Sequence, residues 1–456
     1  MTVAPARRVA YETIRAVTAS DAYANLLLPK AIARAGLHGA DAALATELTY
    51  GTLRRLGTYD AVIAAAADRE TARIDPAVLD ALRLGAHQLL ATRVAPHAAV
   101  HETVQLVATA TKGRGATGFA NAVLRRVSRA SADEWMVRIT EQARSDDERL
   151  GLRAAHPVWV VRALRRALAA EGRADELGAL LEADNASPRV TMAALPGLAE
   201  VPADAEPTDF SPIAFRAPSG DPLPLTEGSG GRLRVQDEGS QLAALALTRA
   251  RPVVAGERWL DLCAGPGGKS ALLAAEALVH GARLDANEPV PARAGLVRQA
   301  LAAVPLEVPV SEEDGRVRAA SAPQMYDRIL VDAPCTGLGA LRRRPEARWR
   351  KQPSDVAELA VLQRELLTAA LDAAKPGGLV AYVTCSPHLA ETAAVVSEVL
   401  AAAGGAALEL DARAVLQSVA RAPMDLPAPA DGSGRAQLWP HRHGTDAMSV
   451  SLLQRR

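Results

Sequence analysis

Two cysteines carry residue types and spacing suited to chemistry. Cys335 closes Asp332-Ala333-Pro334-Cys335, and Cys385 lies within Val383-Thr384-Cys385-Ser386-Pro387. Each follows a short apolar run, Arg328-Ile329-Leu330-Val331 or Leu379-Val380-Ala381-Tyr382-Val383, of the kind that forms a buried strand. Two thiols at the ends of two strands, downstream of a glycine-rich loop, point to nucleophilic chemistry beside a bound cofactor. The Pro-Cys step at a strand end makes Cys335 the first candidate for the attacking group.

The loop is in Trp259-Leu260-Asp261-Leu262-Cys263-Ala264-Gly265-Pro266-Gly267-Gly268-Lys269-Ser270, which reads as a strand, a glycine turn and a helix start. A P-loop would need a glycine where Cys263 stands, and a dinucleotide fingerprint would need a third glycine where Ser270 stands. The remaining reading is a methyltransferase loop, with Asp261 ending the first strand and the glycines facing S-adenosylmethionine. That reading predicts acids at the following strand ends, the first of them to hold ribose hydroxyls. The chain supplies Ala282-Arg283-Leu284-Asp285-Ala286-Asn287-Glu288, and Asp314-Gly315-Arg316 after a third strand over Leu306-Glu307-Val308-Pro309-Val310. Strand 328–332, helix 354–374, a turn at Lys375-Pro376-Gly377-Gly378, strand 379–384, helix 389–403 and a final strand over 446–453 complete an α/β sheet. In the usual methyltransferase strand order, strands four and five are neighbours, which brings Cys335 and Cys385 together.

Two thiols in one pocket suit methylation at C5 of cytosine. That carbon is a poor nucleophile until a thiolate adds to C6, after which C5 can take a methyl group from a sulfonium. A free thiol titrates near ~8.5, so a neighbouring cation such as Lys269 or an arginine helps to supply the thiolate. Asp332 is placed to bond the N3/N4 edge of the base.

The 456 residues exceed one ordinary domain, so two or three are expected. Charges balance, with 52 basic against 52 acidic residues, so a nucleic-acid footprint has to be local. Only Lys30, Lys112, Lys269, Lys351 and Lys375 are lysines, so positive surface is mainly arginine. The third cysteine, Cys263, reads as a small residue lining the loop, and the scattered cysteines form no zinc or disulfide pattern. No membrane-length apolar run is present and the N-terminus (Met1-Thr2-Val3-Ala4-Pro5) leads into an amphipathic helix, so a cytoplasmic, metal-free monomer is expected.

Three segments follow. Residues 1–130 show helical periodicity throughout (Ala10, Ile14, Val17; Leu44, Leu48, Leu53, Leu56; Val78, Leu82, Leu89, Leu90), with breaks at Gly36-Leu37-His38-Gly39, Asp75-Pro76, Ala95-Pro96 and Lys112-Gly113-Arg114-Gly115. That is an all-α bundle of six or seven helices, with Arg125, Arg126 and Arg129 grouped on one of them. Residues 131–232 form a helical linker followed by a small, proline- and glycine-rich α+β extension without chemical signal. Residues 233–456 form the Rossmann-like α/β cofactor half.

The first segment resembles the NusB-like RNA-binding domain. The carriers are Ala6-Arg7-Arg8-Val9-Ala10, Glu47-Leu48-Thr49-Tyr50-Gly51, Leu84-Gly85-Ala86-His87-Gln88-Leu89-Leu90 and Phe119-Ala120-Asn121-Ala122-Val123-Leu124-Arg125. The resemblance implies RNA held mainly through phosphate contacts. The third segment resembles RNA cytosine-C5 methyltransferases of the RsmB/Sun type through Val235-Gln236-Asp237-Glu238-Gly239-Ser240, the 261–269 loop, Asp332-Ala333-Pro334-Cys335 and Thr384-Cys385-Ser386-Pro387. This resemblance implies Cys385 as nucleophile, Cys335 as an aid to product release, and Asp332 in contact with base or cofactor. It implies S-adenosylmethionine held by Cys263, Ala264, Gly265, Pro266, Gly267, Gly268, Lys269, Glu288, Asp314 and Asp332. The pairing of the two segments implies 16S ribosomal RNA as substrate, against the alternatives of tRNA or a non-catalytic assembly factor.

Arg342-Arg343-Arg344 and Arg348-Trp349-Arg350 look like a phosphate grip with an aromatic beside it. Many relatives carry two acids and an asparagine after the second cysteine motif, and here only Glu391 is kept. Aromatics frequent in the last strand of relatives are replaced by Ala447-Met448-Ser449.

Overall fold

The computed structural model describes residues 3–20, 22–111, 114–218 and 220–456. Of the expected break at 112–115, Lys112 and Gly113 lie outside the described residues, as do Met1 and Thr2, while Arg114 and Gly115 already belong to a helix. The chain divides into two compact units. One comprises the residues to Arg162 together with Leu341–Lys351, and the other comprises Ala163–Ala340 and Gln352–Arg456. These units cut the chain differently from the three segments expected at 130 and 232.

The first unit is helical. Within its first 130 residues the described α-helices are Pro5–Ala19, Ala24–Arg34, Gly39–Arg54, Leu56–Ala67, Pro76–Ala91, Pro96–Ala110 and Arg114–Val127. Asp75 caps the helix at Pro76 by accepting from the backbone N–H groups of Ala77 and Val78, while proline occupies the first turn, where no N–H is needed. The apolar stripes close one core containing Ala10, Ile14, Val17, Leu48, Leu53, Val78 and Leu82. Gly51 sits in mid-helix because a Cβ there would lie 2.2 Å from the His87 ring, and that ring is held by a 2.8 Å bond to the Tyr59 hydroxyl. Gly85 is required likewise, its added Cβ meeting Leu124 at 2.7 Å.

In the segment Leu341–Lys351, Arg342, Arg348 and Arg350 turn into the helical unit, against the reading of this run as a phosphate grip. Arg348 has no exposed surface and donates to the Ala155 carbonyl at 3.0 Å, and Arg342 is 7% exposed. Arg350 donates to the carbonyls of Val17, Ser20 and Ala22, which follow the last turn of the first helix or belong to it. Carbonyls at a helix C-terminus lack intrahelical donors, and a guanidinium fork satisfies several at once. Trp349 donates from Nε1 to the Leu53 carbonyl at 2.9 Å and packs against the bundle core, and Glu346 accepts from the Ala24 N–H at 3.1 Å. These residues are an inner strap of the helical unit.

The second unit is built on a sheet of strands β1 (Arg258–Asp261), β2 (Arg283–Asn287), β3 (Val310–Ser311), β4 (Tyr326–Asp332), β5 (Ala374–Thr384), β6 (Ala407–Leu410), β7 (Ala436–Gln437) and β8 (Ser449–Arg455). The order is β7-β8-β5-β4-β1-β2-β3, with β6 also paired to β8. Strands β1 to β5 run parallel, and β8 is antiparallel to its neighbours. Both faces are buried: Leu260, Ile329, Val331, Val380 and Tyr382 pack on one side, Trp259, Leu330, Ala381 and Val383 on the other. Continuous apolar runs, rather than alternation, are what such doubly covered strands need.

Several element boundaries differ from expectation. The Lys375–Gly378 turn becomes an irregularity inside β5, where pairing jumps from Tyr326–Ala374 to Arg328–Leu379 and Gly377 adopts φ +76°. The third strand shrinks to two residues, and the helix expected at 389 opens with a 3-10 turn, Leu389–Glu391, before Ala393–Ala402. A three-stranded antiparallel sheet of Ala214–Arg216, Thr191–Ala194 and Leu233–Val235 precedes the large one. Among the described residues, no helix is long and apolar enough to cross a membrane.

The strap yields a stability test. Trp349→Ala should cost the helical unit about 3 kcal/mol in urea unfolding, the range for a packed aromatic truncated to alanine. An unchanged midpoint would contradict the strap's place in the core.

Candidate active site

Strand β1 ends at Asp261, and the chain turns through Cys263–Gly267 into the helix Gly268–His280. Asp261 is fully buried and accepts from the Ser270 hydroxyl at 2.7 Å, which staples the strand end to the helix start. Burial pushes its carboxyl up to about 7, with the charge of Asp332 adding to the shift. Gly265 is crowded: an added Cβ would lie 2.2 Å from Glu288 Oε2. Gly267 has φ +104°, and its added Cβ would meet Ala300 at 2.6 Å. Around Gly268, by contrast, the nearest atom to such a Cβ is Gln236 at 3.9 Å, so the helix start is open on that side.

Carboxylates stand at successive strand ends. Glu288, after β2, is buried, with Oε2 accepting from the Gly265 N–H at 3.0 Å and Oε1 from the Val290 N–H at 3.1 Å. Asp314 caps the short helix Gly315–Ala320 and is half-exposed; hydrogen bonding to Arg316 pulls its carboxyl down to about 2. Asp332, the last residue of β4, accepts from Lys269 Nζ at 2.8 Å. Burial disfavours the Lys269 charge, but the charge and hydrogen bond of Asp332, with a contribution from Cys385, outweigh it and raise the ammonium.

Strands β4 and β5 pair in parallel, with Asp332 opposite Val383. Both chains leave the sheet at the same end, and the Cys335 and Cys385 sulfurs come within 3.4 Å of each other as free thiols. The hydrogen bond to Cys385, then burial, then the negative charges of Cys385 and Glu391 hold the Cys335 thiol well above the ordinary range. Burial likewise raises Cys263, which packs against the core on the β1 side.

The cysteines, the glycine loop and Glu288, Asp314 and Asp332 thus gather at the carboxyl end of the parallel strands, whereas the strap arginines and Arg125, Arg126 and Arg129 belong to the helical unit. Two contributors were missed. Glu391, noted only as the remnant of a longer motif, is fully buried and accepts from Thr336 N–H and the hydroxyls of Thr336 and Ser386. Gly339 donates to the Cys385 carbonyl at 2.8 Å, and a Cβ there would lie 2.0 Å from the Ala447 carbonyl. Its spacing in Cys335-Thr336-Gly337-Leu338-Gly339 was the available signal.

An open sheet in this order, closed by one antiparallel strand and carrying a glycine loop after its first strand, defines a class I methyltransferase. Residues 251–454 match the family described as 16S rRNA methyltransferase RsmB/F, and residues 4–129 match the NusB family. A Mycobacterium tuberculosis protein inferred to be a methyltransferase, Rv1407, is 49% identical over 459 residues, covering 99% of this chain and 96% of the relative. The ribosomal RNA small subunit methyltransferase B of Erwinia tasmaniensis is 34% identical, covering 83% of this chain and 86% of that one. Among solved structures, PH0851 shares the fold with a TM-score of 0.81 at 21% identity over the whole of both chains. A methyltransferase homolog from Pyrococcus horikoshii follows at 0.53 and 20% identity, over 67% of this chain and 98% of that one.

The chain belongs to the RsmB/F family of ribosomal RNA methyltransferases, with a NusB-type helical domain, and its methyl donor is S-adenosylmethionine. The residues fit that donor: Gly268 leaves open backbone at the start of a long helix, and carboxylates at the next strand ends suit hydroxyl and amino groups.

Asp261 gives a pH signature. Its folded-state pKa lies above the unfolded value of about 3.9, so the folded state binds the extra proton and stability falls as pH rises from about 4 to 7. Asp261→Asn lacks this titration. Its urea midpoint should therefore gain on that of the wild type between pH 5 and pH 8; parallel midpoints across that window would contradict the assignment.

Proposed function

We propose that the protein methylates C5 of a cytosine in 16S ribosomal RNA through a covalent bond between Cys385 and C6 of the base. The observation that carries this reading is the contact of two free thiols at the ends of adjacent parallel strands, beside the cofactor loop. S-adenosylmethionine, when bound, supplies a methyl group activated as a sulfonium. The backbone of Cys263, Ala264, Gly265, Pro266, Gly267 and Gly268 lines its site. Glu288, through the loop it clamps, and Asp314 serve its hydroxyl and adenine ends.

Cys385 attacks C6 as the thiolate, and the ring electrons move to C5, which would take the methyl group as the sulfonium S–CH3 bond breaks with its electron pair left on that sulfur. Lys269, tied to Asp332, is the cation that supports negative sulfur at Cys385. Asp332 has its other oxygen for the polar edge of the base. In the release step the C5 proton passes to solvent, its bonding pair restores the C5–C6 double bond, and the C6–S bond breaks with its electrons returning to sulfur. Cys335 holds its own proton, because its thiol is shifted upward, and donates a hydrogen bond to the departing thiolate. That division of labour explains why one pocket needs two cysteines.

The NusB-type domain, over about 1–130, is read as the RNA grip. Arg125, Arg126 and Arg129 are exposed on the helix Arg114–Val127 and its end, as phosphate contacts require. A ribosomal RNA substrate places the enzyme in the cytoplasm.

With unmethylated 16S ribosomal RNA and methyl-labelled S-adenosylmethionine, Cys385→Ala should lower label transfer by more than about 1000-fold. Cys335→Ala should leave a protein–RNA adduct that survives denaturation. Full activity in Cys385→Ala would refute the nucleophile. Label on tRNA but not on 16S RNA would refute the substrate, and no label on any RNA would favour a non-catalytic assembly factor.

A further inference from the structure

Glu391 is a buried carboxylate whose partners are neutral donors. Its Oε1 accepts from the Thr336 N–H at 2.7 Å and from Gln363 Nε2 at 3.3 Å; its Oε2 accepts from the Thr336 hydroxyl at 2.5 Å and the Ser386 hydroxyl at 2.6 Å. Burying a carboxylate without a cation is costly and is tolerated when hydrogen bonds fill its lone pairs, as four do here. The donors are not scattered. Thr336 follows Cys335 and Ser386 follows Cys385, so one side chain binds the residue after each cysteine. Gln363, from the helix Pro353–Ala373, also donates to the Pro334 carbonyl at 2.8 Å, fixing the other flank of Cys335. The backbone carbonyl of Glu391 itself accepts from the Tyr382 hydroxyl on β5 at 2.7 Å, which anchors the knot to the strand.

We propose that Glu391 is the positioning residue that holds the Cys335 thiol in hydrogen-bonding contact with the Cys385 sulfur during product release. The inference rests on the reading of Cys385 as nucleophile and Cys335 as the group that eases its departure. Neither the cofactor nor the base needs to touch Glu391. Its effect passes through Thr336 and Ser386 to the sulfur–sulfur distance, and its negative charge favours the protonated form of Cys335 that can donate. Removing Glu391 should therefore resemble removing Cys335: attack and methyl transfer proceed, and elimination stalls.

The test uses the full chain with unmethylated 16S ribosomal RNA and labelled S-adenosylmethionine, with Cys335→Ala as reference. Glu391→Ala should accumulate a denaturation-resistant RNA adduct as Cys335→Ala does, and lose about 100-fold in turnover, the scale of a small misplacement of a reacting group. Binding of S-adenosylmethionine should be unchanged. Glu391→Gln should recover most of the turnover, because its amide oxygen can take the two N–H donors while its NH2 donates to the two hydroxyl oxygens. If Glu391→Ala does not fold, Thr336→Val decides, with an adduct fraction between those of wild type and Cys335→Ala. Loss of adduct and turnover together in a folded Glu391→Ala, turnover near wild type, or no adduct in Thr336→Val would each overturn the proposal. Absence of adduct in Cys335→Ala itself would instead condemn the underlying reading, whatever Glu391 does.

Discussion

The parallel register between β4 and β5 is the constraint from which the site follows. With Asp332 opposite Val383, the two strands leave the sheet level with each other, and three residues later on one and two on the other the chains present sulfur atoms in contact. A slip of one residue would turn every side chain of a strand to the opposite face, so the buried apolar layers on both sides fix the register as firmly as any hydrogen bond. The turns beyond the sheet then need support of their own. Gly339 supplies it by close backbone approach and Glu391 by side-chain hydrogen bonds, so the loops are set by local polar contacts and the strands by packing.

Charge is distributed with equal economy around this edge. Asp261 is enclosed and bonded to a neutral hydroxyl, while Asp332 faces the ammonium of Lys269. The two carboxylates therefore behave differently although they end neighbouring strands. The same asymmetry appears between the thiols. Cys335 sits near Cys385 and the buried Glu391, which hold its thiol in the protonated form, whereas Cys385 adds to the effect of Asp332 in raising the Lys269 ammonium. A thiol that holds its proton beside a second sulfur facing an ammonium is the pairing that the proposed addition and elimination require.

The cofactor half was legible in the sequence because its signals are local. Apolar runs of strand length, a glycine cluster after the first and an acid after each of the next ones are read from consecutive residues, and the sheet order then follows from the fold class. The arginines of Leu341–Lys351 were misjudged because their partners are the carbonyls of Val17, Ser20, Ala22 and Ala155, hundreds of residues away along the chain and without any sequence signature. Composition registers a basic run and says nothing about whether it faces water or helix ends. Glu391 escaped for a related reason: its donors come from Thr336, Gln363 and Ser386, and only the folded chain gathers them. Gly51 is the counterpart in the helical unit, a helix-weakening residue whose reason is a histidine ring from another helix. The division at Arg162 is equally hidden, since it falls inside the uninterrupted helix Val158–Ala169.

In the proposed mechanism Cys385 bonds to C6 while Cys335 attends its departure. RNA carrying 5-fluorocytidine isolates that step, because fluorine replaces the C5 proton whose loss drives elimination, and the wild-type enzyme must then stop at the methylated adduct. Tandem mass spectrometry of the digested complex would locate the bond. A methylated fluoropyrimidine attached to the peptide containing Cys385 is the expected product. Attachment at Cys335, or the absence of any adduct from an enzyme that methylates ordinary RNA, would contradict it.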